Sequence, residues 1–137
     1  MNCEEWHICM EFSPKVYDID AVGVVSNITY VRWLEDMRTE FLEQYLSWDR
    51  LQEHSIAPVL AATRIHYREP FRMGEDLIGK LRLIEMGNTS WKLEFEFARN
   101  SSPVITAEQT GVFVDIDSKN PRPLPESLRS NMPSKLR

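Results

Sequence analysis

The sequence predicts an α+β domain in which one long helix packs on an antiparallel sheet of about five strands. Three observations carry this. Apolar residues recur every three or four positions from Tyr30 through Trp33, Leu34, Met37, Phe41 and Leu42 to Tyr45, the stripe of a helix with one buried face. Elsewhere the pattern has period two: Trp6, Ile8, Met10 and Phe12 alternate with His7, Cys9, Glu11 and Ser13, and Trp91, Leu93, Phe95 and Phe97 alternate with Lys92, Glu94, Glu96 and Ala98. The strands after the helix are joined by short turn-forming stretches, so neighbouring strands run antiparallel.

The first strand starts near Trp6, and Pro14, which cannot donate to a ladder, marks it as an edge strand. Ser26 stands where an N-cap belongs, and Glu35, Asp36, Arg38, Glu40 and Glu43 give the main helix its polar side. A weaker helical pattern covers Trp48 to His54. Strand character returns at Val59, with Thr63, Ile65 and Tyr67 on one face, Arg64, His66 and Arg68 on the other, and Pro70 ending it. Leu77 to Met86 forms the next strand, Gly87-Asn88-Thr89 a turn, the Trp91 run a further strand, and Asn100-Ser101-Ser102-Pro103 another turn. Val104 to Asp117 is the last strand. Pro121, Pro123 and Pro125 then end regular structure, and Ser127 to Arg137 reads as a frayed or loosely docked tail. One helix covers one side of such a sheet, so a second copy of the chain is expected to bury the other face or an edge.

With 137 residues, 42% hydrophobic and 27% charged, the chain has the size of one domain with its own core. Its net charge of −5 argues against a general nucleic-acid or anionic-membrane binder, so an anionic ligand must be held by local cations. No apolar run suits a membrane span, and the start Met1-Asn2-Cys3-Glu4-Glu5 lacks the basic and apolar stretches of a secretion signal. A bridge between Cys3 and Cys9 would close only a tiny loop and leave the rest of the chain unconstrained, so a reducing compartment, the cytoplasm, fits best.

There is no Gly-x-Ser-x-Gly elbow, no phosphate-binding Gly-rich loop with Lys, and no Cys or His pair at zinc-ligand spacing. Neither a metal nor a cofactor is expected. His7, His54 and His66 stand alone and read as structural or surface residues. The unusual stretch is Tyr17 to Tyr30, where Asp18, Asp20 and Gly23 immediately precede the main helix. A calcium loop also begins Asp-x-Asp, but Val22 and Thr29 occupy positions that need oxygen ligands. A polar turn is the bland explanation. The apolar residues from Ala21 to Val25 speak against it, because they set a carboxylate beside a low-dielectric wall at a helix N-terminus.

The run from Asp18 to Tyr30, continuing through Trp33-Leu34-Glu35-Asp36-Met37-Arg38, resembles the Asp-x-Asp-x-x-Gly-x-Val signature, with downstream Tyr and Glu-x-x-Arg, of the 4-hydroxybenzoyl-CoA thioesterase-like family of hot-dog-fold proteins. Tyr67-Arg68-Glu69-Pro70 through Leu77 is similar to that family's strand end and Gly-Asp turn, and Gly111 to Ile116 with Arg122, Pro123 and Pro125 to its final strand and exit. The resemblance implies a single hot-dog domain over residues 1–128, a C-terminal tail over 129–137, and assembly into dimers and often tetramers.

It also implies an acyl-CoA thioesterase. The motif's second Asp, here Asp20, is the family's catalytic carboxylate, and the backbone N–H at the position of Asn27 holds the thioester carbonyl. Many family members carry His or Tyr where this chain has Asn27, so only the backbone role carries over. Gly23 and Tyr30 belong to the same motif, and Arg68 and Arg72 are the candidates to meet the phosphates of coenzyme A, with Lys80 and Arg82 as further possibilities. Chemically, Asp20 could attack the carbonyl or activate a water, and the helix N-terminus could stabilise the oxyanion. Glu35 reads as structural. Acyl groups on a carrier protein are an alternative substrate, and a non-catalytic acyl-thioester binding domain is the alternative of a different class.

Overall fold

The runs of alternating residues become strands of one sheet in the computed structural model, which describes residues 3–136. Met1 and Asn2 of the acidic start and Arg137 of the expected tail lie outside the described residues. The elements in chain order are β1 (Ile8–Phe12), α1 (Asn27–Tyr45), α2 (Trp48–Glu53), β2 (Ile56–Tyr67), β3 (Leu77–Met86), β4 (Ser90–Arg99), β5 (Ser102–Asp115) and α3 (Glu126–Ser130). The five strands lie in the order β1-β3-β4-β5-β2, and all neighbours are antiparallel. A single long helix wrapped by such a sheet is the hot-dog fold, as the sequence predicts. β1 is an edge, as Pro14 requires, and β2 is the other.

The buried stripe of α1, Tyr30, Trp33, Leu34, Met37 and Phe41, lies on the sheet face formed by Leu77, Leu81, Leu83, Trp91, Leu93, Phe95, Phe97, Ile105, Ala107 and Phe113. Fully burying one such side chain contributes about 1.5–3 kcal/mol. The helix comes closest over β3 at Gly79, where a Cβ would stand 2.6 Å from the Phe12 ring and 2.9 Å from Met37 Sδ. Any larger residue there would push α1 off the sheet.

One inward position breaks the apolar pattern. Gln109, in the middle of β5, is fully buried. A buried amide is costly unless bonded, and here both ends are: Arg38 Nη1 donates to its Oε1 at 2.9 Å, and its Nε2 donates to Thr63 Oγ1 at 3.2 Å. Arg38 also donates to Glu35 at 2.7 Å, so Glu35 has the structural role expected of it. A polar chain thus runs from α1 through β5 to β2 at the open edge of the sheet.

Several expectations change. β2 begins at Ile56 rather than Val59. The alternation of β1 holds from Ile8 but fails at Trp6 and His7: Trp6 lies under the Arg82 guanidinium, 4.3 Å from its ring centroid, while the His7 ring packs against Phe41 and Tyr45. The chain reverses here through a turn in which the Trp6 N–H donates to Cys3 O, and this return brings Cys3 to Cys9, with Cα atoms 6.1 Å apart and a disulfide joining them. The described end of the chain is docked rather than frayed, because Leu128 and Met132 are buried and Leu136 packs on the core.

His7 Nδ1 accepts the Leu83 N–H at 3.0 Å, a bond only the neutral ring can make at that atom. Burial, and secondarily the charge of Arg82, pushes its pKa below the ordinary 6.5. A depressed histidine contributes stability that is present above 6.5 and lost as pH falls through the lowered value. The protection factor of the Leu83 amide, its exchange corrected for the intrinsic pH dependence, is therefore expected to fall on acidification through that window in the parent chain and to be insensitive to it in His7→Asn; equal pH dependence of protection in both chains would contradict the assignment.

Candidate active site

The residues before α1 form a knot of backbone hydrogen bonds. Asp20 N–H donates to Val24 O at 2.8 Å, Gly23 N–H to Asp20 O at 3.1 Å, and Ser26 N–H to Asp18 O at 2.8 Å. Gly23 makes the reversal possible, with φ +86°, a conformation other residues adopt only under strain. Asp20 braces the same turn through its side chain: Oδ1 accepts the Val22 N–H at 3.0 Å and the Val24 N–H at 3.2 Å. Oδ2 receives no donor among the described residues. The carboxylate is exposed, so one oxygen holds the loop and the other faces outward.

Asp18 is the buried acid of the pair. Its Oδ2 accepts the Lys15 N–H at 2.8 Å, and Thr29 reaches its other oxygen at 3.5 Å. It fastens the loop to the first turn of α1. The two carboxylates of the motif are thus separated in role: one is inside and engaged, the other outside with a free oxygen.

Ser26 is the N-cap residue by position, but its side chain makes no capping bond, and the first turn of α1 holds no acid. The Asn27 N–H has no acceptor among the described residues. The positive end of the helix is therefore uncovered at Asn27. Val24, Val25, Asn27 and Tyr30 line one side of a groove of about 160 Å³ whose other side is Tyr67, Arg68, Glu69 and Pro70. Asp20 stands on the loop that supplies Val24 and Val25.

Tyr30 belongs to the core as well as to this groove: its hydroxyl accepts the Phe71 N–H at 3.3 Å, and its ring touches those of Trp33, Tyr67, Phe71 and Phe97. Burial pushes the phenol up to about 12, so it stays neutral and does not serve as a base near neutral pH.

Arg68 reaches the groove and Arg72 lies beside the loop, where its backbone pairs with Val24. Lys80 and Arg82 are elsewhere, on β3 against Trp6, with Arg82 bonded to Glu94 at 3.1 Å. The acids that could neutralise Arg68 and Arg72 are held by Arg99: it donates to Glu75 at 2.7 Å, to Glu69 at 2.8 Å and to the Pro70 carbonyl at 2.6 Å, and its guanidinium lies 4.8 Å from the Phe71 ring centroid. No ion pair engages Arg64, His66, Arg68 or Arg72 among the described residues. Arg99 escaped the sequence reading because it belongs to no motif, and the two acids it gathers, Glu69 and Glu75, lie in another turn.

Residues 14–132 match the family model described as the thioesterase-like superfamily. The chain belongs to that superfamily. It is 30% identical over 113 residues to the acyl-CoA thioester hydrolase YbgC of Escherichia coli O6:H1, covering 81% of this chain and 84% of YbgC. It is 27% identical to the chloroplastic acyl-acyl carrier protein thioesterase ATL3 of Arabidopsis thaliana, covering 93% of this chain and 68% of that one. Among solved structures, the probable thioesterase YbaW of Escherichia coli superposes with a TM-score of 0.82 at 25% identity, over 90% of this chain and 95% of YbaW.

Arg99 holds the Glu69–Glu75 segment against β4 through charge-assisted bonds worth about 1.5–3 kcal/mol each at most. Arg99→Ala is expected to lower the unfolding free energy by about 2 kcal/mol in chemical denaturation, and Arg99→Lys to recover little of it, since one ammonium cannot span three acceptors. A fully stable Arg99→Ala chain would show that the bridge is decorative.

Proposed function

We propose that this chain hydrolyses acyl-CoA thioesters, with Asp20 as the catalytic carboxylate and the Asn27 N–H as the oxyanion site. That it is a thioester hydrolase follows from its family. The acyl-CoA reading draws on the relatives' activities and on the cations Arg68 and Arg72, which no acid neutralises beside the groove. The observation that carries the site is the pairing of a free Asp20 Oδ2 with an uncovered helix N-terminus on one short, braced loop.

In this reading the thioester carbonyl enters the groove and its oxygen meets the Asn27 N–H. Asp20 Oδ2 attacks the carbonyl carbon, and the charge that develops on oxygen is stabilised by that N–H and by the helix dipole. The carbon–sulfur bond breaks, coenzyme A leaves as its thiolate, and water then hydrolyses the mixed anhydride to release the acid and regenerate Asp20. Attack by the exposed oxygen requires only an approach path, and activation of a water by the same oxygen is the alternative route. Gly23 keeps the loop tight, Tyr30 floors the groove, and Arg68 and Arg72 meet the phosphates. Tyr67 supplies an apolar wall consistent with an aromatic or fatty acyl group.

Asp20→Asn keeps Oδ1, and with it the bonds from Val22 and Val24, but removes the nucleophile. It is expected to retain the parent's thermal stability while its kcat on short, long and aromatic acyl-CoA falls at least a hundredfold, the range for loss of a catalytic group; undiminished turnover would remove Asp20 from the mechanism.

The same reading makes the protein a homo-oligomer. β2 is bonded on one side only, to β5, and its outer edge is open along twelve residues. Val59 and Leu60 on this strand are 43% and 37% exposed, and Ile28 and Val31 on α1 are 63% and 40% exposed. Long open edges of this kind invite pairing with another strand, and the β2 of a second copy completes the sheet and covers the groove beside Tyr67. Sedimentation is expected to find at least two chains per particle, and Leu60→Lys, which places a charge on the edge, to shift the population towards one; a monomeric, fully active parent would contradict this.

A further inference from the structure

A bulge in β2 decides how that strand can pair with itself. Two copies of one strand related by a two-fold axis run antiparallel. In an unbroken strand of 12 residues the first and last side chains point to opposite faces, so full-length self-pairing would set inward residues against outward ones. The register of β2 against β5 steps by one between Leu60 and Ala62, so Pro58 and Leu60 before the bulge and Thr63, Ile65 and Tyr67 after it all stand opposite inward residues of β5. The step restores the match. Pairing β2 with a second β2 along its whole length sets Ile56 against Tyr67, Pro58 against Ile65 and Leu60 against Thr63, inward face to inward face.

This register carries α2 of one copy to the groove of the other. Arg50 and His54 precede Ile56, and Arg68 and Glu69 follow Tyr67, so they become neighbours across strands about 4.8 Å apart. At that place each chain has a second groove, of about 410 Å³, with Leu51 and Ile56 as its floor, Pro123 and Pro125 as a wall and Arg50 and His54 at its rim. A helix turns about 100° per residue, so Arg50 and His54 share one flank of the buried Leu51, while Asp49 and Glu53 fall on the face turned away from it. Arg122, also in the lining, is held by Asp115 at 2.9 Å. Glu126 is the acid of the lining, and among the described residues neither it nor any other acid forms an ion pair with Arg50.

Coenzyme A carries a 3′-phosphate on its adenosine, beyond the diphosphate, and the two cations Arg68 and Arg72 account only for the diphosphate. We infer that the 3′-phosphoadenosine end of coenzyme A seats in this second groove on the opposite copy, with the acyl-CoA reading as premise. The 3′-phosphate meets Arg50 and His54, a guanidinium fork being suited to phosphate, and the purine lies against Ile56 and the prolines. The thioester of the same molecule is cleaved beside Asp20 of the first copy. Each substrate thus spans two chains.

Adenosine 3′,5′-bisphosphate, which carries no acyl group, tests the seat by calorimetry, with adenosine 5′-phosphate as the control. The parent is expected to bind the bisphosphate about tenfold more tightly than the monophosphate, Arg50→Ala to lose about that tenfold, and Arg50→Lys to recover most of it. A parent that binds both nucleotides alike, or an Arg50→Ala chain that binds like the parent, overturns the seat. The crossing is tested in hybrid dimers of one Asp20→Asn and one Arg50→Ala chain, isolated by two affinity tags, which hold one site with both residues intact only if Arg50 acts across the interface. Their kcat/KM on acyl-CoA is expected to be about fivefold that of the Arg50→Ala homodimer, half the sites recovering from a tenfold loss; hybrids no better than that homodimer overturn the crossing. A parent that binds the bisphosphate but hydrolyses no acyl-CoA leaves the nucleotide seat standing and removes the thioesterase reading.

Discussion

Phe71 is the point at which the Asp20 loop, the helix and the sheet are tied together. Its carbonyl accepts the Val25 N–H at 2.8 Å, its N–H donates to the Tyr30 hydroxyl, and its fully buried ring lies under the Arg99 guanidinium. Each bond contributes only about 1 kcal/mol net, but together they connect three segments that are distant in sequence. The loop with Asp20 and Gly23 cannot shift without moving the start of α1, and α1 cannot shift without moving Tyr30 off the Phe71 amide. A helix N-terminus is useful to an oxyanion only if it is stationary. Here it is held stationary by the connection between β2 and β3.

The same framework sets the charge that the proposed anionic substrate would meet in an acidic protein. Arg99 is placed by β4 at the sheet's end, beside the β2–β3 connection, and it gathers Glu69 and Glu75. Arg68 and Arg72 are thereby left facing solvent without acids of their own. Charge is sorted rather than averaged: one arginine gathers the acids of the β2–β3 connection, and its neighbours stay unpaired among the described residues. The polar chain from Glu35 through Arg38 and Gln109 to Thr63 does comparable work elsewhere on the sheet, delivering a satisfied hydroxyl to the open edge strand.

Much of this was legible in the residues. The stripe from Tyr30 to Tyr45 and the alternation from Ser90 onward are strong periodic signals because each element has one buried face, and the structure follows them closely. Gly23 and Ser26 fell where a reversal and a helix start require them. The failures have physical causes. Trp6 obeys the alternation in sequence but lies beyond the ladder, in a turn fixed by contacts with Arg82 that no local pattern reveals. The proline-rich exit hid α3, which forms because Leu128 and Met132 find the core, a tertiary effect stronger than local propensity. Gln109 could have been flagged as the one polar residue among the inward positions Ile105, Ala107, Gly111 and Phe113, but its partner Arg38 is 71 residues away. The separate roles of Asp18 and Asp20 were invisible, since both are acids in one short motif and only the folded loop turns one in and the other out.

The most direct measurement is a crystal structure of the parent chain with a ketone analogue of an acyl-CoA, in which a methylene separates the carbonyl from the sulfur and hydrolysis is impossible. The carbonyl oxygen should lie about 2.7–3.2 Å from the Asn27 nitrogen, with Asp20 Oδ2 facing the carbonyl carbon and the phosphates near Arg68 and Arg72. An analogue bound with its carbonyl remote from both Asn27 and Asp20 would contradict the assignment of this loop as the catalytic centre.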